Sequence, residues 1–380
     1  MGGGVSAVPA RLNPRGTADA SPAPLALAIL ECQRQGGSHR MLNDRRRLVL
    51  AALVEEYIRS AQPVASQRLV QRYELGCSPA TVRNELSILE ETGYVFQPHV
   101  SAGRVPTDTG YRQFVDGVTA TREGGLTPAE IEAVHDKYVS HAAEIDELMH
   151  ETAAMLSRLT SYVAVVLTPA ASRARIRRVD LVSLTSRRAL VVVITDSGQV
   201  FDRALDLDQE TSPEDLALVE RALNEAMDGK VAEDARPGGS LADAARVSSA
   251  LVSRVVDEVL DCLMEADRAR ARHGGTAALL EQPEFAGAEN VRPLLELLED
   301  GVALLETLTD VIRERDVVVR IGHENQRGEL EHASFVAATY GDADNEGIVG
   351  VIGPTRMDYA RAISAVRTVS SGLSDVLGEA

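Results

Sequence analysis

Aromatic residues are scarce in this chain: 3% of 380 residues, with no tryptophan. Its cores must be built mainly from Ala, Val, Leu and Ile, and a 44% hydrophobic content supplies enough of them for two or three domains. Cysteine is nearly absent. Cys32, Cys77 and Cys262 are odd in number, far apart and not at zinc-ligand spacing, which argues against a disulfide framework and for a reducing cytosol. No apolar run approaches the roughly 20 residues of a membrane span. The stretch "APLALAIL" is short and follows a weakly basic, Pro-rich start, unlike a signal peptide. Positive charge is also short, with 39 Lys and Arg against 57 Asp and Glu, a net charge of −18. An acidic total usually argues against a nucleic-acid partner. The charge is uneven, however. Residues 41–112 carry nine Arg against eight acids, a net +1, and residues 1–40 carry +2, which leaves −21 for residues 113–380.

Residues 1–40 are rich in Gly, Ala, Pro and Ser without an apolar period, and read as disordered. An orderly helical pattern opens at Met41, so the preceding forty residues read as a start-site artefact or a dispensable tail. Leu50, Leu53, Val54, Tyr57 and Ile58 mark one buried stripe of a helix over 44–60. Pro63 stops it. Ser66 is placed to cap a second helix carrying Leu69, Val70 and Tyr73. "ELGC" turns the chain, Ser78 caps a third helix, and Pro79 takes its favoured first position. "YVFQPHVSAGRVP" then reads as two short strands around a Pro/Gly turn.

Helix, helix, turn, helix and hairpin within about 70 residues is the layout of a winged helix-turn-helix. On the third helix Val82, Leu86 and Leu89 share the buried face. Ala80, Asn84 and Ser87 lie opposite, flanked by Thr81 and Arg83. Such a face suits the major groove. Ala80 permits close approach, Arg83 and Asn84 match guanine and adenine edges, and Ser78, Thr81 and Ser87 reach phosphate or base. Arg104, on the hairpin, is placed for phosphate or the minor groove. The plainer reading is a solvated surface helix, and winged helices also serve as protein-interaction modules.

Beyond Thr127 a seam of His135, Tyr138, Ala142, Ile145, Met149, Thr152, Leu156 and Leu159 predicts one long helix, either a dimer linker or a core helix. "SYVAVVLTP", "IRRVDLVSL", "RALVVVITD" and "QVFDRALDL" read as strands, followed by helices from Ser212, around 250–266 and near 289–315, more strands after 317, and a last helix near Asp358. Strands before about 207 and after about 317 are expected to share a sheet, with 208–287 as an insertion. Catalytic chemistry is not indicated. His323, Glu324 and His332 have poor metal spacing, and there is no phosphate loop or nucleophile motif.

The chain resembles the family of heat-inducible transcription repressors HrcA in "PVASQRL", "SPATVRNELSILEETGY", "QPHVSAGRVPTDTGYRQFVD", "PEF", "IGHEN" and "GVIGPTRMDY", all in order. The resemblance implies an α+β multidomain protein: a winged-helix DNA-binding domain over 41–115, a GAF-like α/β domain in two parts over 116–207 and 288–380, and an inserted dimerisation domain over 208–287. It implies a cytoplasmic homodimer on double-stranded DNA at the inverted-repeat operator CIRCE of chaperone operons, modulated by the GroEL chaperonin, with no cofactor or metal. The alternatives are a ligand-responsive regulator acting through the GAF-like domain, which native-state stabilisation by metabolites would reveal, and a structural assembly module, which salt-sensitive duplex binding would exclude.

Overall fold

The computed structural model describes residues 42–121, 125–139, 145–196, 198–231, 248–268, 270–299, 303–304, 307–308, 317–325, 328–342 and 346–378. The expected tail over 1–40, its boundary at Met41, Ala142 of the seam and most of 300–315 lie outside the described residues. Two compact units divide between Glu123 and Gly124.

The first unit opens with α1 (Asp44–Ser60), whose cap residue Asn43 accepts from the Arg46 N–H at 2.9 Å. Of its expected apolar stripe Leu50, Leu53 and Val54 are buried together with Val49, whereas Tyr57 and Ile58 toward its end are half-buried. In α2 (Ser66–Arg72) Ser66 is the first helical residue rather than the cap; extended Ala65 holds that position without a side-chain bond. In α3 (Pro79–Glu91) Ser78 caps as expected, accepting from the Thr81 N–H at 3.2 Å. The hairpin pairs β1 (Val95–Phe96) with β2 (Val105–Pro106). It is tied to the chain between α1 and α2 by reciprocal backbone bonds of 2.9 Å between Val64 and Arg104. Gly103 makes that approach possible, since a Cβ there would fall 2.4 Å from the Val64 carbonyl. The unit closes with α4 (Asp108–Thr121), which buries Tyr111, Phe114, Val115 and Val118.

Fully buried Glu56 of α1 binds Arg68 Nε at 2.5 Å and Arg72 Nε at 3.4 Å, both from α2. Arg46 of α1 binds Glu85 of α3 at 2.8 Å. Charge-assisted bonds of this kind fix orientation as well as proximity, so both following helices are oriented by α1.

The second unit begins with α5 (Pro128–Val139) and α6 (Ile145–Thr160). The single long helix expected here is not formed. Tyr138 Oη lies 3.2 Å from Thr152 Oγ1, and Lys137 Nζ lies 2.8 Å from Glu151 Oε2. Residues fourteen apart on one continuous helix would be separated by about 21 Å, so α6 folds back beside α5.

The central sheet runs β7 (Ala271–Gly274), β3 (Val163–Leu167), β10 (Gly347–Pro354), β9 (Ala333–Tyr340), β8 (Val318–Ile321), with every neighbour antiparallel. On one side α6 and the last helix, Tyr359–Gly378, cover it. The other side packs on Leu279, Phe285, Leu294 and Leu297. With both faces covered, β3 and β10 are buried throughout.

A second sheet orders β4 (Ile176–Thr185), β5 (Arg188–Thr195) and β6 (Val200–Asp206). The helices Pro213–Met227 (α7) and Ser249–Arg268 (α8) pack on one of its faces over a separate core of Val179, Val191, Leu205, Leu223 and Val259. The expected sharing of one sheet by all strands before 207 therefore holds for β3 alone. The excursion from the central sheet leaves after Leu167 and returns at Ala271, inside the stretch expected to be inserted. The physical reason is burial: β3, β9 and β10 have both faces covered, whereas β4 to β6 alternate and need helices on one side only.

The edge of β4 is closed by α7. Asn224 accepts the Val179 N–H at 2.8 Å and donates to the Val179 carbonyl at 2.7 Å, and Glu220 accepts the Leu181 N–H at 2.8 Å. Two side chains thus stand in for a missing strand.

Candidate nucleic-acid interface

Nine arginines lie between Met41 and Arg112. Seven have carboxylate partners: Arg46 with Glu85, Arg47 with Asp44, Arg59 with Glu55, Arg68 and Arg72 with Glu56, Arg104 with Glu90, and Arg112 with Asp116. Among the described residues the remaining two, Arg45 and Arg83, are exposed and uncommitted. Arg45 sits in the first turn of α1, where the helix dipole disfavours a cation. Its placement does not serve the stability of α1. Sequence reading passed over it, although three consecutive arginines before an apolar stripe were a visible signal.

Val82 and Leu89 are fully buried and Leu86 nearly so, which turns the opposite side of α3 outward. Ala80, Arg83 and Asn84 are exposed there, and Thr81 and Ser87 are half-exposed. Asn84, like Arg83, keeps its side chain uncommitted among the described residues. The Ser78 and Thr81 hydroxyls lie 3.0 Å apart at the helix start. Ser87 Oγ donates to the Arg83 carbonyl at 3.1 Å and, with its proton used there, can still accept a bond. No acidic residue occupies the first turn of α3, so its positive end is open to an anion.

Six of the seven anticipated residues therefore gather on one surface. The seventh, Arg104, differs: its guanidinium binds Glu90 of α3 at 2.8 Å and its side chain is only 17% exposed. It braces the hairpin against α3.

The other motifs singled out by sequence prove architectural. Arg356 forms a forked pair with Glu284 at 2.6 and 3.2 Å, joining "GPTRM" to "PEF". Buried Asn325 donates to the carbonyls of Gly322, Leu330 and Ala333. His323 pairs with Glu331 at 3.2 Å on the surface. No His, Cys, Asp or Glu group fit for a metal occurs among the described residues. Burial raises the Tyr138 and Tyr162 hydroxyls to about 12 and the Cys262 thiol to about 11, values of packed rather than reactive groups. No helix among the described residues is long and apolar enough to cross a membrane.

A family model described as the HrcA protein C terminal domain matches residues 146–363, more than half of the chain. A heat-inducible transcription repressor HrcA from a Nocardioides species is 41% identical over 349 residues, covering 89% of this chain and 100% of the relative. The protein of that name from Kineococcus radiotolerans is 40% identical over 361 residues, again covering 89% and 100%. A crystal structure of a hypothetical protein at 2.2 Å resolution shares 25% identity at a TM-score of 0.62, covering 89% of this chain and 99% of its own.

Proposed function

The chain belongs to the family of heat-inducible transcription repressors HrcA, and from that premise we propose that it is a dimeric DNA-binding repressor of chaperone operons. Residues 42–121 act as a winged helix-turn-helix, α3 enters the major groove, and two heads meet the half-sites of the inverted repeat CIRCE. The observation that carries this reading is the contrast on the head: seven arginines are held by carboxylates, while Arg83 and Asn84 stand exposed and uncommitted on α3. Arginine and asparagine are the side chains that match guanine and adenine edges bidentately.

The second sheet, with α7 and α8, is the dimerisation domain inserted in a GAF-like domain. Its outward face supports this. Val182, Leu184 and Val200 are 48%, 51% and 59% exposed on the side away from the helices. A two-fold contact there covers apolar surface that a monomer leaves in water. Residence in the cytoplasm and modulation by the GroEL chaperonin complete the proposal.

Arg83→Ala and Asn84→Ala test it. Each is expected to cost roughly 1–3 kcal/mol against the CIRCE duplex, or about 5- to 150-fold in Kd by fluorescence anisotropy. Thermal stability stays within about 0.5 kcal/mol, as for surface residues without partners. Unchanged operator affinity in both variants refutes α3 as the reader.

A further inference from the structure

The chain enters the second unit at a fastened point. Three residues separate Thr121, the last of α4, from Gly125. Arg361, near the start of the last helix, uses all three of its guanidinium nitrogens around that point. Nη1 donates to the Gly125 carbonyl at 3.0 Å, Nη2 to Glu130 Oε1 at 2.6 Å, and Nε to the Leu159 carbonyl at 2.5 Å. Glu130, in the first turn of α5, also accepts from the Thr127 N–H at 2.8 Å and the Thr127 hydroxyl at 2.9 Å. Residues 125–130 are therefore tied both to the last helix and to the end of α6. Gly125 has a φ of +128°, and a Cβ there would fall 2.4 Å from the Ala360 carbonyl oxygen, so only glycine lies this close to the last helix. A planar fork that serves a different segment from each nitrogen fixes place as well as proximity. Gly125 is only half-buried, so water would satisfy its carbonyl nearly as well. What the guanidinium adds is a fixed place.

We propose that Arg361 is a positioning residue: by fastening the entry at Gly125 it limits the reach of each DNA-binding head, and with it the half-site spacing that a dimer accepts. This deepens the dimeric DNA-binding reading above and rests on it. Four Cα steps lead from Thr121 to Gly125, a span of at most about 14 Å. Without the Arg361 bonds the free chain runs on to Pro128, seven steps and about 25 Å. Tether length matters because the effective concentration of a second head is greatest where the tether matches the span, and near zero where it cannot reach. Two base pairs added between half-sites move one of them by about 7 Å along the duplex and turn it by about 70°. The gain of about 11 Å in reach exceeds that shift. A freed head therefore follows the moved half-site, and a fastened head does not.

The test uses the full chain and two duplexes, one carrying CIRCE and one with two base pairs added between its half-sites. Wild type is compared with Arg361→Ala and with a chain carrying four Gly/Ser residues inserted between Glu123 and Gly124. The insertion lengthens the tether and leaves Arg361 in place. Wild type is expected to bind the widened duplex roughly a hundredfold more weakly than CIRCE, the loss of a linked second contact. Both altered proteins should bind the two duplexes within about tenfold of each other. Their affinity for CIRCE itself should fall about two- to fivefold, as effective concentration drops with the −3/2 power of tether length. Melting temperature and dimer mass are read alongside, since a merely structural role would move those and leave the spacing preference intact. If Arg361→Ala melts early or dissociates, Arg361→Lys takes its place, because it keeps the charge but cannot serve three acceptors as a planar fork. A folded, dimeric Arg361 variant with the wild-type spacing preference overturns the role of Arg361. The wild-type preference in the insertion variant overturns the tether itself. Equal binding of both duplexes by wild type also overturns it and leaves the DNA-binding reading standing. Wild type that fails to bind CIRCE overturns that reading and the inference with it.

Discussion

Replacing Asn224 with alanine isolates the closure of the β4 edge. Val179 is fully buried, and its N–H and carbonyl both bond to the Asn224 side chain, at 2.8 and 2.7 Å. Each such bond contributes about 1 kcal/mol net, and a partly buried group left unmade costs about 1–3 kcal/mol. Alanine favours the helix over asparagine by several tenths of a kcal/mol, a small offset. The balance is a loss of about 2 kcal/mol. Urea denaturation of the full chain reads the total, and hydrogen exchange at the Val179 amide reads the cause. That amide should lose protection while Val191, whose bonds lie within the β4–β5–β6 ladder, keeps most of its own. An exposed edge also invites strand pairing between molecules, so the variant should aggregate sooner on warming. A shift below about 0.5 kcal/mol, or an unchanged Val179 exchange rate, refutes the side-chain closure of this edge.

Two further outcomes follow from the second unit. Under the proposed function, Val182→Asp combined with Val200→Asp should turn a dimer into a monomer by light scattering and abolish tight binding to the inverted repeat; a dimer surviving both charges moves the interface elsewhere. The Glu130 carboxyl is held at about 2, chiefly by the Thr127 backbone N–H and then by Arg361, against an ordinary value of 4.5. A depressed carboxylate stabilises fully above its unfolded value, and this stabilisation fades as pH falls from about 4.5 through about 2. Glu130→Gln should therefore flatten the acid limb of stability in that window, read from urea midpoints, and a slope equal to wild type refutes the assignment.

The first unit was legible because punctuation set it. Pro63, the Ser78–Pro79 pair and Gly93 mark turns by local backbone chemistry, and α1, α3 and the hairpin stand where those marks fall. Partnerships across the fold were not legible: nothing local tells that Arg104 meets Glu90 or that Arg46 meets Glu85. The break between α5 and α6 was hidden for a related reason. From Ala129 to Thr160 no Gly or Pro interrupts the helical period. The reversal is supported by tertiary contacts, including Tyr138 against Gly372 of the last helix, where a Cβ would fall 2.6 Å from the ring. Sheet membership was readable and was misread. "SYVAVVLTP" is continuously apolar, as a strand covered on both faces must be, whereas "IRRVDLVSL" alternates. That difference in period separates the two sheets.

The two units differ in what they need in order to form. Contacts in the first are local, within residues 42–121, and seven of its nine arginines are neutralised by carboxylates of the same segment. The central sheet of the second joins strands far apart in the chain, with Leu167 opposite Ile348 and Val166 opposite Arg272. Closing such long intervals costs chain entropy before any pairing repays it, and non-local pairings of this kind form more slowly than local ones. Meanwhile β3 and β10, apolar along their whole length, are bare. Under the proposed function, this exposed apolar surface is what the chaperonin takes up. A head with a net charge near +1 draws little affinity from charge alone. Tight binding to an inverted repeat then depends on two linked heads, because the second contact becomes intramolecular once the first is made. Loss of the second unit's fold removes that linkage even while each head stays folded. Under the proposed function, occupancy of the operator follows the supply of folded dimer. Chaperonin drawn to other clients during heat lowers that supply and releases the chaperone genes.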